Sequence, residues 1–248
     1  MSDPVLAPDD ISIPPSRSFF SRWIGVYLSP GETFQDIARK PDFILPLIVS
    51  IASALVVTET MLAKIGMERI IRNSIEQSGR TMTPEQLEQA VQQGSTLGLV
   101  MAHVGALFGS PIFLAIIAVL GLGIVNVIYG GEIRFKTAFA VACYVNLISV
   151  LGVVMAVPMI LFGDLEHFNP QNPMPSNVGS FLNPRETSKP LMAFASSMDL
   201  LSFWFLALLG VGYSAATGGK IKAFSIGGIF FGLWLVYVLG KVALAMIM

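Results

Sequence analysis

Five long apolar runs constrain this chain more than any other feature of its sequence. They cover residues 43–62, 97–129, 138–162, 192–216 and 223–246. A helix rises about 1.5 Å per residue, so roughly 20 apolar residues span the ~30 Å hydrocarbon core of a bilayer. Inside that core the backbone must satisfy its own hydrogen bonds, which a helix does. The runs therefore predict an all-α integral membrane protein with five transmembrane helices, in contact with the lipid bilayer.

The composition agrees with a lipid environment and argues against several other classes. Only 12% of the residues are charged, whereas soluble domains carry about 25%. The net charge of −1 gives no basic field for nucleic acid. With Cys143 as the single cysteine and only two histidines, we expect neither a disulfide framework nor a metal site. The chain lacks a nucleophile elbow, a phosphate loop and a dinucleotide motif, so we expect no cofactor and no enzyme activity.

Polarity divides the chain into two regions. Residues 1–42 are expected to form a cytoplasmic N-terminal region, and residues 43–248 the five-span membrane domain. Residues 1–15 are rich in Pro and Asp, which is typical of a disordered tail. The N-terminal region has no continuous apolar core, so it is not expected to be a cleaved signal peptide.

Two short helices are predicted before the first span. Between Phe19 and Leu28, aromatic and aliphatic residues recur at helical spacing, which indicates an amphipathic helix at the membrane surface. Ser29 can then cap a second helix, with Pro30 in its first turn and Glu32 completing a capping box. This second helix leads into the first span.

The connections between the runs also carry predictions. Thr83 and Gln86 have the spacing of a helix start, which predicts a short and mostly polar loop helix. The run 97–129 is too long for one straight span, so we expect one helix that is tilted or kinked at Pro111. Residues 163–190 are rich in Asn and Pro and are expected to hold little regular structure.

Basic residues set the expected orientation. The two shortest turns, after the second and fourth runs, contain Arg134 with Lys136 and Lys220 with Lys222. Basic turns stay preferentially in the cytoplasm. We therefore expect an N-terminus inside and a C-terminus outside, in the cytoplasmic (inner) membrane.

Four ionisable residues lie inside or at the edge of the runs: Glu59, His103, Asp199 and Lys241. In the expected orientation all four fall in the outer third of the bilayer, where they could form one polar cluster with Lys241 paired to a carboxylate. Alternatively, each serves its own helix end by snorkelling or, for Asp199, by capping. The sequence alone leaves both readings open.

Other features within the runs point to helix packing. Buried amides commonly hydrogen-bond to a neighbouring helix, and small-x-x-x-small spacings allow close helix contact. The residues concerned are Asn126 and Asn146, Gly105 with Gly109, and Gly228 with Gly232. We favour packing within one chain over dimerisation, because five spans must bury faces against one another.

Several segments also carry short motifs in a characteristic order. A Pro-x-x-x-Phe helix precedes the first span, a glycine pair precedes the third, and an Asp, a Trp and two Gly mark the fourth. The residues are Pro30, Phe34, Gly130, Gly131, Asp199, Trp204, Gly210 and Gly212. Together they resemble the Yip-domain (Ypt-interacting protein) family of membrane proteins in its bacterial form, over about residues 28–246. This chain has no Pro shortly after Tyr144, where the family often has one.

The resemblance implies a protein that acts by interaction. Eukaryotic members act in vesicle trafficking and bind Rab-type GTPases, but this chain lacks their long acidic N-terminal domain, so Rab binding is not expected. The first hypothesis is a membrane scaffold that docks a membrane-protein partner or a second copy through an exposed face with Phe34 and Ile37. The alternative is a small transporter, channel or lipid-handling protein that uses the outer polar cluster.

Overall fold

The protein is almost entirely helical in the part of the chain that the structure describes. The computed structural model describes residues 16–77, 82–163, 175–183 and 186–247, so the predicted tail at 1–15 lies outside the described residues. The described helices are α1 Phe19–Leu28, α2 Pro30–Arg39, α3 Ile44–Lys64, α4 Met67–Gln77, α5 Pro84–Leu122, α6 Phe135–Asn146, α7 Ser149–Phe162, α8 Lys189–Ala195, α9 Leu200–Ala216 and α10 Ala223–Ile247.

Four helical segments among the described residues are long and apolar enough to cross a membrane. They are α3, α5 with its continuation to Ile128, α6 together with α7, and α10. A fifth apolar helix, α9, is shorter at 17 residues. The all-α membrane fold class is therefore confirmed. The fourth run is divided, because α8 ends at Ala195 and α9 begins at Leu200.

The second run belongs to a longer helix than predicted. Thr83 and Gln86 do form a capping box, but the helix that begins there continues through Pro111 to Leu122. The predicted separate loop helix is therefore wrong. A π-helical segment, Gly123–Ile128, follows α5 and ends this continuous helix. Within this segment, the Asn126 side chain accepts from the Ile133 N–H at 2.9 Å and donates to the Ile133 carbonyl at 3.0 Å, so it stabilises the following turn rather than contacting a neighbouring span.

The third run is interrupted at Leu147–Ile148, although no Pro stands there. The helix ends at Asn146 and resumes as α7 at Ser149. Next to the break, the Asn146 amide donates to the Ser50 hydroxyl of α3 at 3.0 Å, which confirms the predicted interhelical hydrogen bond. The carbonyl of Leu147 accepts from the Val150 N–H at 3.1 Å and from the Tyr27 hydroxyl of α1 at 2.6 Å.

Helix α6 is the centre of the packing. The side chains of residues 138–145 are all buried, and α2, α3, α5 and α9 surround the helix. The loop 163–190 holds more structure than predicted where it is described: a 3₁₀ turn, Val178–Phe181, and an isolated bridge between Asn177 and Asp199. Residues 164–174 and 184–185 of that loop lie outside the described residues.

Tyr213 joins three helices by a buried hydroxyl. Its ring from α9 lies against Gly121 of α5, where any Cβ would overlap the ring. The hydroxyl lies 3.2 Å from the carbonyl oxygens of both Ile117 in α5 and Ala138 in α6, and donates its single hydrogen to one of them at a time.

Tyr213→Phe is expected to lower the free energy of unfolding by about 1 kcal/mol, because two buried carbonyls lose their shared donor. Denaturant titration in mild detergent measures the effect. Tyr237→Phe is the matched control, since Tyr237 is 65% exposed. Equal stability of the Tyr213 variant and the control would contradict the bridging role.

The glycine spacings do not mark helix contacts as predicted. A Cβ on Gly105, Gly109, Gly228 or Gly232 would meet nothing within 4 Å. The expectation that these pairs pack within the chain is therefore wrong. Close packing occurs instead at Gly210, where a Cβ would lie 2.6 Å from the Ala223 carbonyl oxygen of α10.

Candidate functional site

A buried group of ion pairs attaches helices α1 and α2 to the membrane helices. The Arg22 side chain of α1 is 1% exposed, and its Nε donates to Asp36 Oδ2 of α2 at 2.8 Å. Its Nη1 lies 3.0 Å from Asp42 Oδ2 and 3.1 Å from the Lys40 carbonyl oxygen. The guanidinium also lies 5.9 Å from the ring centroid of Tyr144 in α6. We call Arg22, Asp36, Asp42 and Tyr144 the arginine centre.

The arginine centre keeps its cation charged despite burial. Burial alone would lower the pKa of Arg22, but its hydrogen bonds to Tyr144 and Asp36 and the charges of Asp42 and Asp36 outweigh burial and raise the pKa. The Tyr144 hydroxyl donates to Asp42 Oδ1 at 2.7 Å, which ties the start of α3 to the same group. Arg22 of α1 therefore contacts α2 through Asp36, the start of α3 through Asp42 and α6 through Tyr144.

The prediction that Phe34 and Ile37 form an exposed docking face on α2 is wrong. Phe34 and Ile37 are both 0% exposed, because α2 packs them against α6 and α9. The Phe34 ring lies against Gly212, where a Cβ would come within 3.2 Å of it. The exposed face of α2 carries polar residues instead, including Glu32 and Gln35.

The start of α2 also differs from the prediction. Ser29 precedes the helix and Pro30 stands in its first turn, but the Ser29 side chain makes no capping hydrogen bond. Glu32 does not complete a capping box; it pairs with Arg17 Nη2 at 2.7 Å. The side chain that does cap is Ser18, which accepts from the Ser21 N–H at the start of α1.

Helix α1 exposes an apolar stripe on the side away from Arg22. Phe20, Ile24 and Leu28 recur at intervals of four residues and are 59–80% exposed. The inner side packs Tyr27 against Trp204 of α9, with ring centroids 5.9 Å apart. An exposed apolar stripe beside spanning helices is suited to contact with lipid.

Among the described residues, one contact joins two of the four ionisable residues, that between His103 and Glu59. His103 Nε2 and Glu59 Oε1 lie 2.8 Å apart, and both side chains are about half exposed. Lys241 Nζ donates to the hydroxyls of Ser196 at 3.0 Å and Ser197 at 3.4 Å. Among the described residues no ion pair joins Lys241 to Glu59 or to an aspartate, so its predicted carboxylate partner is not found.

Asp199 caps α9, as one of the two sequence readings has it. Its Oδ2 accepts from the Ser202 N–H at 2.9 Å and from the Ser202 hydroxyl at 2.7 Å. Its Oδ1 is buried and has no hydrogen-bond partner; in the described residues it shares this state with the Ser176 hydroxyl. Both residues line a cavity of about 650 Å³ whose other walls come from α5, the α6–α7 break, α9 and α10.

The remaining motif residues have structural positions. Gly130 has a φ of +65°, which favours glycine, and a Cβ on Gly131 would lie 2.8 Å from Val125. Gly210 allows α9 to approach α10, and Gly212 allows it to approach α6 and α2. These positions shape the turn and the close helix contacts rather than a chemical site.

Sequence reasoning missed the arginine centre and Ser176. One signal was present: Arg22 stands three and four residues before Gly25 and Val26, which are the other buried positions of α1. A charge on the inner face of an amphipathic helix calls for a buried partner. The partner itself could not be chosen from sequence, since Asp36 and Asp42 are equally plausible and both are used.

Comparison with known protein families matches the Yip1 domain over residues 24–243. Comparisons with curated proteins and with solved structures gave no match. The matched segment begins inside α1, two residues after Arg22, and ends inside α10, so it contains Asp36, Asp42, Tyr144 and the lining of the cavity. The chain therefore belongs to the Yip1 domain family of membrane proteins.

Proposed function

We propose that this protein is a non-enzymatic scaffold that binds a protein partner at the membrane surface. The observation that carries the proposal is the arginine centre, which fixes α1 and α2 against the membrane helices. Because Arg22 and Asp36 are buried, the outer face of α2 is held in one orientation. A fixed polar surface beside a lipid-facing helix is suited to binding a partner in the aqueous phase.

The orientation that supports this function has the N-terminus and the basic turns in the cytoplasm of a cell with an inner membrane. Helix α2 packs against α9, whose C-terminal end leads into the turn with Lys220 and Lys222. The α2 surface and that turn would thus face the same compartment. A reporter fused after Ile247 should be active only outside the cytoplasm, and cytoplasmic activity would contradict the orientation.

A photo-crosslinking amino acid at Gln35, on the outer face of α2, tests the scaffold function in cells. We expect a discrete protein adduct at Gln35 and none at the matched lipid-facing position Val236 of α10, which is 68% exposed. The adduct should fall at least severalfold in Arg22→Met, which releases α2 without touching its outer face. An adduct that persists in Arg22→Met, or no adduct in wild-type protein, would contradict the proposal.

Transport through the polar residues is the weaker alternative. Glu59 and His103 pair with each other on a half-exposed surface, and Lys241 binds two serines, so these groups do not line one shared path in the described residues. Reconstituted protein should therefore show no ion flux above empty vesicles. Flux that disappears in Glu59→Gln would favour the transporter instead.

A further inference from the structure

The cavity beside Asp199 has the lining of a site for a single amphiphile. Its volume of about 650 Å³ lies within the range of small-molecule sites, ~300–1,000 Å³. Aliphatic and aromatic side chains make up most of the wall, among them Ile117, Leu206 and Phe230. Asp199 and Ser176 supply polar groups at the N-terminal end of α9.

The polar end carries two unused hydrogen-bonding atoms. Asp199 Oδ1 and the Ser176 hydroxyl are both buried and have no hydrogen-bond partner among the described residues. A buried polar atom without a partner costs about 1–3 kcal/mol, and more when it is charged. Since the other Asp199 oxygen already accepts from Ser202, Oδ1 is left as a buried acceptor in a residue of the cavity wall, without an N–H or O–H donor among the described residues.

The depth of the cavity suits one lipid chain. Asp199 and Leu209 both line it and stand ten residues apart on α9, which places them about 15 Å apart along the helix. That is about half of a ~30 Å hydrocarbon core, the share of one leaflet. At the sides of the cavity, Ile116 of α5 is 53% exposed and Leu233 of α10 is 43% exposed, so chains from the surrounding lipid can reach it.

The charges near the polar end favour a zwitterionic head group. Lys241 contacts Ser196 and Ser197, and Asp199 follows two residues later in the same turn. A primary ammonium can donate to Asp199 Oδ1, while a phosphate would be attracted to Lys241. We propose that this cavity binds one phospholipid with a primary amine head group, with a chain among α5, α9 and α10 and the ammonium on Asp199.

Lipid competition on purified full-length protein tests the proposal. Delipidated protein in mild detergent is given equal amounts of phosphatidylethanolamine and phosphatidylcholine with identical chains, and the bound lipid is counted by native mass spectrometry. Phosphatidylcholine has no N–H, so we expect about tenfold preference for phosphatidylethanolamine, the effect typical of one charge-assisted hydrogen bond. Equal retention of the two lipids by wild-type protein would overturn the proposal without any variant.

Two pairs of variants locate the site. Asp199→Asn keeps an N-cap oxygen for Ser202 but replaces the free acceptor oxygen with an NH₂ group, so the preference for phosphatidylethanolamine should disappear. Glu59→Gln neutralises a carboxylate away from the cavity, and this variant should keep the preference.

Ile116→Trp narrows the cavity and should reduce binding of both lipids severalfold. Val119→Trp is exposed on the same helix but outside the lining, and should leave lipid binding unchanged. A preference that survives Asp199→Asn, or binding unaffected by Ile116→Trp, would refute the site. The result is independent of the α2 partner, so either proposal can fail alone.

Discussion

Arg22→Met is expected to destabilise the attachment of the N-terminal helices by about 3–5 kcal/mol, the usual effect of removing one partner from a buried ion pair. The substitution keeps the aliphatic length of the side chain but leaves Asp36, which is 3% exposed, without its strongest partner. Asp42 and the Lys40 carbonyl lose a donor as well. Because the loss is local, α1 and α2 should detach before the spanning helices unfold.

Limited proteolysis in mild detergent measures this detachment. We expect cleavage of the variant between Leu28 and Pro41 at a much lower denaturant concentration than in the wild-type protein. Arg17→Met is the matched control, since it removes an ion pair with Glu32, which is 73% exposed, and a hydrogen bond to the Thr33 hydroxyl, but leaves no buried charge unpaired. Exposed ion pairs contribute about 0–1 kcal/mol. The double variant Arg22→Met, Asp36→Leu should recover part of the loss, because no unpaired charge remains buried. Equal protease sensitivity of the Arg22 and Arg17 variants would refute the role of the arginine centre.

Gly210→Ala is expected to cost about 2–3 kcal/mol by forcing α9 and α10 apart, within the range for overpacked cores. A Cβ at this position would lie 2.6 Å from the Ala223 carbonyl oxygen and 3.1 Å from the Gly227 Cα. Both are backbone atoms, so no side chain can turn away to make room. The separation of the helices should also disturb the Tyr213–Phe230 ring stack across the same interface.

Gly227→Ala is the control on the opposite helix, because its nearest neighbour would be the Gly210 Cα at an ordinary 3.6 Å. Gly228→Ala, with nothing within 4 Å, should be neutral or slightly stabilising through better helix propensity. Denaturant titration of the three variants should rank Gly210 as the most sensitive position by at least 1 kcal/mol. Similar values for Gly210 and Gly228 would show that the α9–α10 contact is not tight.

The glycine positions show what local patterns can and cannot predict. The spacing of Gly228 and Gly232 is a packing signature, yet a Cβ on either residue would meet nothing within 4 Å. Gly210, which the family motif marked without a reason, lies at a tight contact between α9 and α10. A spacing identifies one face of a helix, but which face meets a neighbour depends on how all the helices are rotated. That rotation is decided by packing across the whole bundle.

The polar residues show the same difference between local contacts, which the sequence predicts, and long-range contacts, which it does not. The capping of α9 by Asp199 could be read from sequence because a cap joins residues only three positions apart. The pairing of His103 with Glu59, 44 residues away, could not, nor could the contact of Lys241 with two serines. The sequence places Phe34 and Ile37 on one helix face. That face turns inward because packing against α6 and α9 removes its apolar surface from water.

The sequence by itself determined the solvent and the local structure of this protein. Long apolar runs are suited to lipid, and in lipid each backbone must close its own hydrogen bonds, so helices are predicted along the runs, although the break at Leu147–Ile148 is not. The tertiary structure decided which carboxylates pair with Arg22, which glycines lie at close helix contacts and where a cavity remains beside Asp199. These features join residues that are distant in the chain, and only the packed arrangement of helices brings them together.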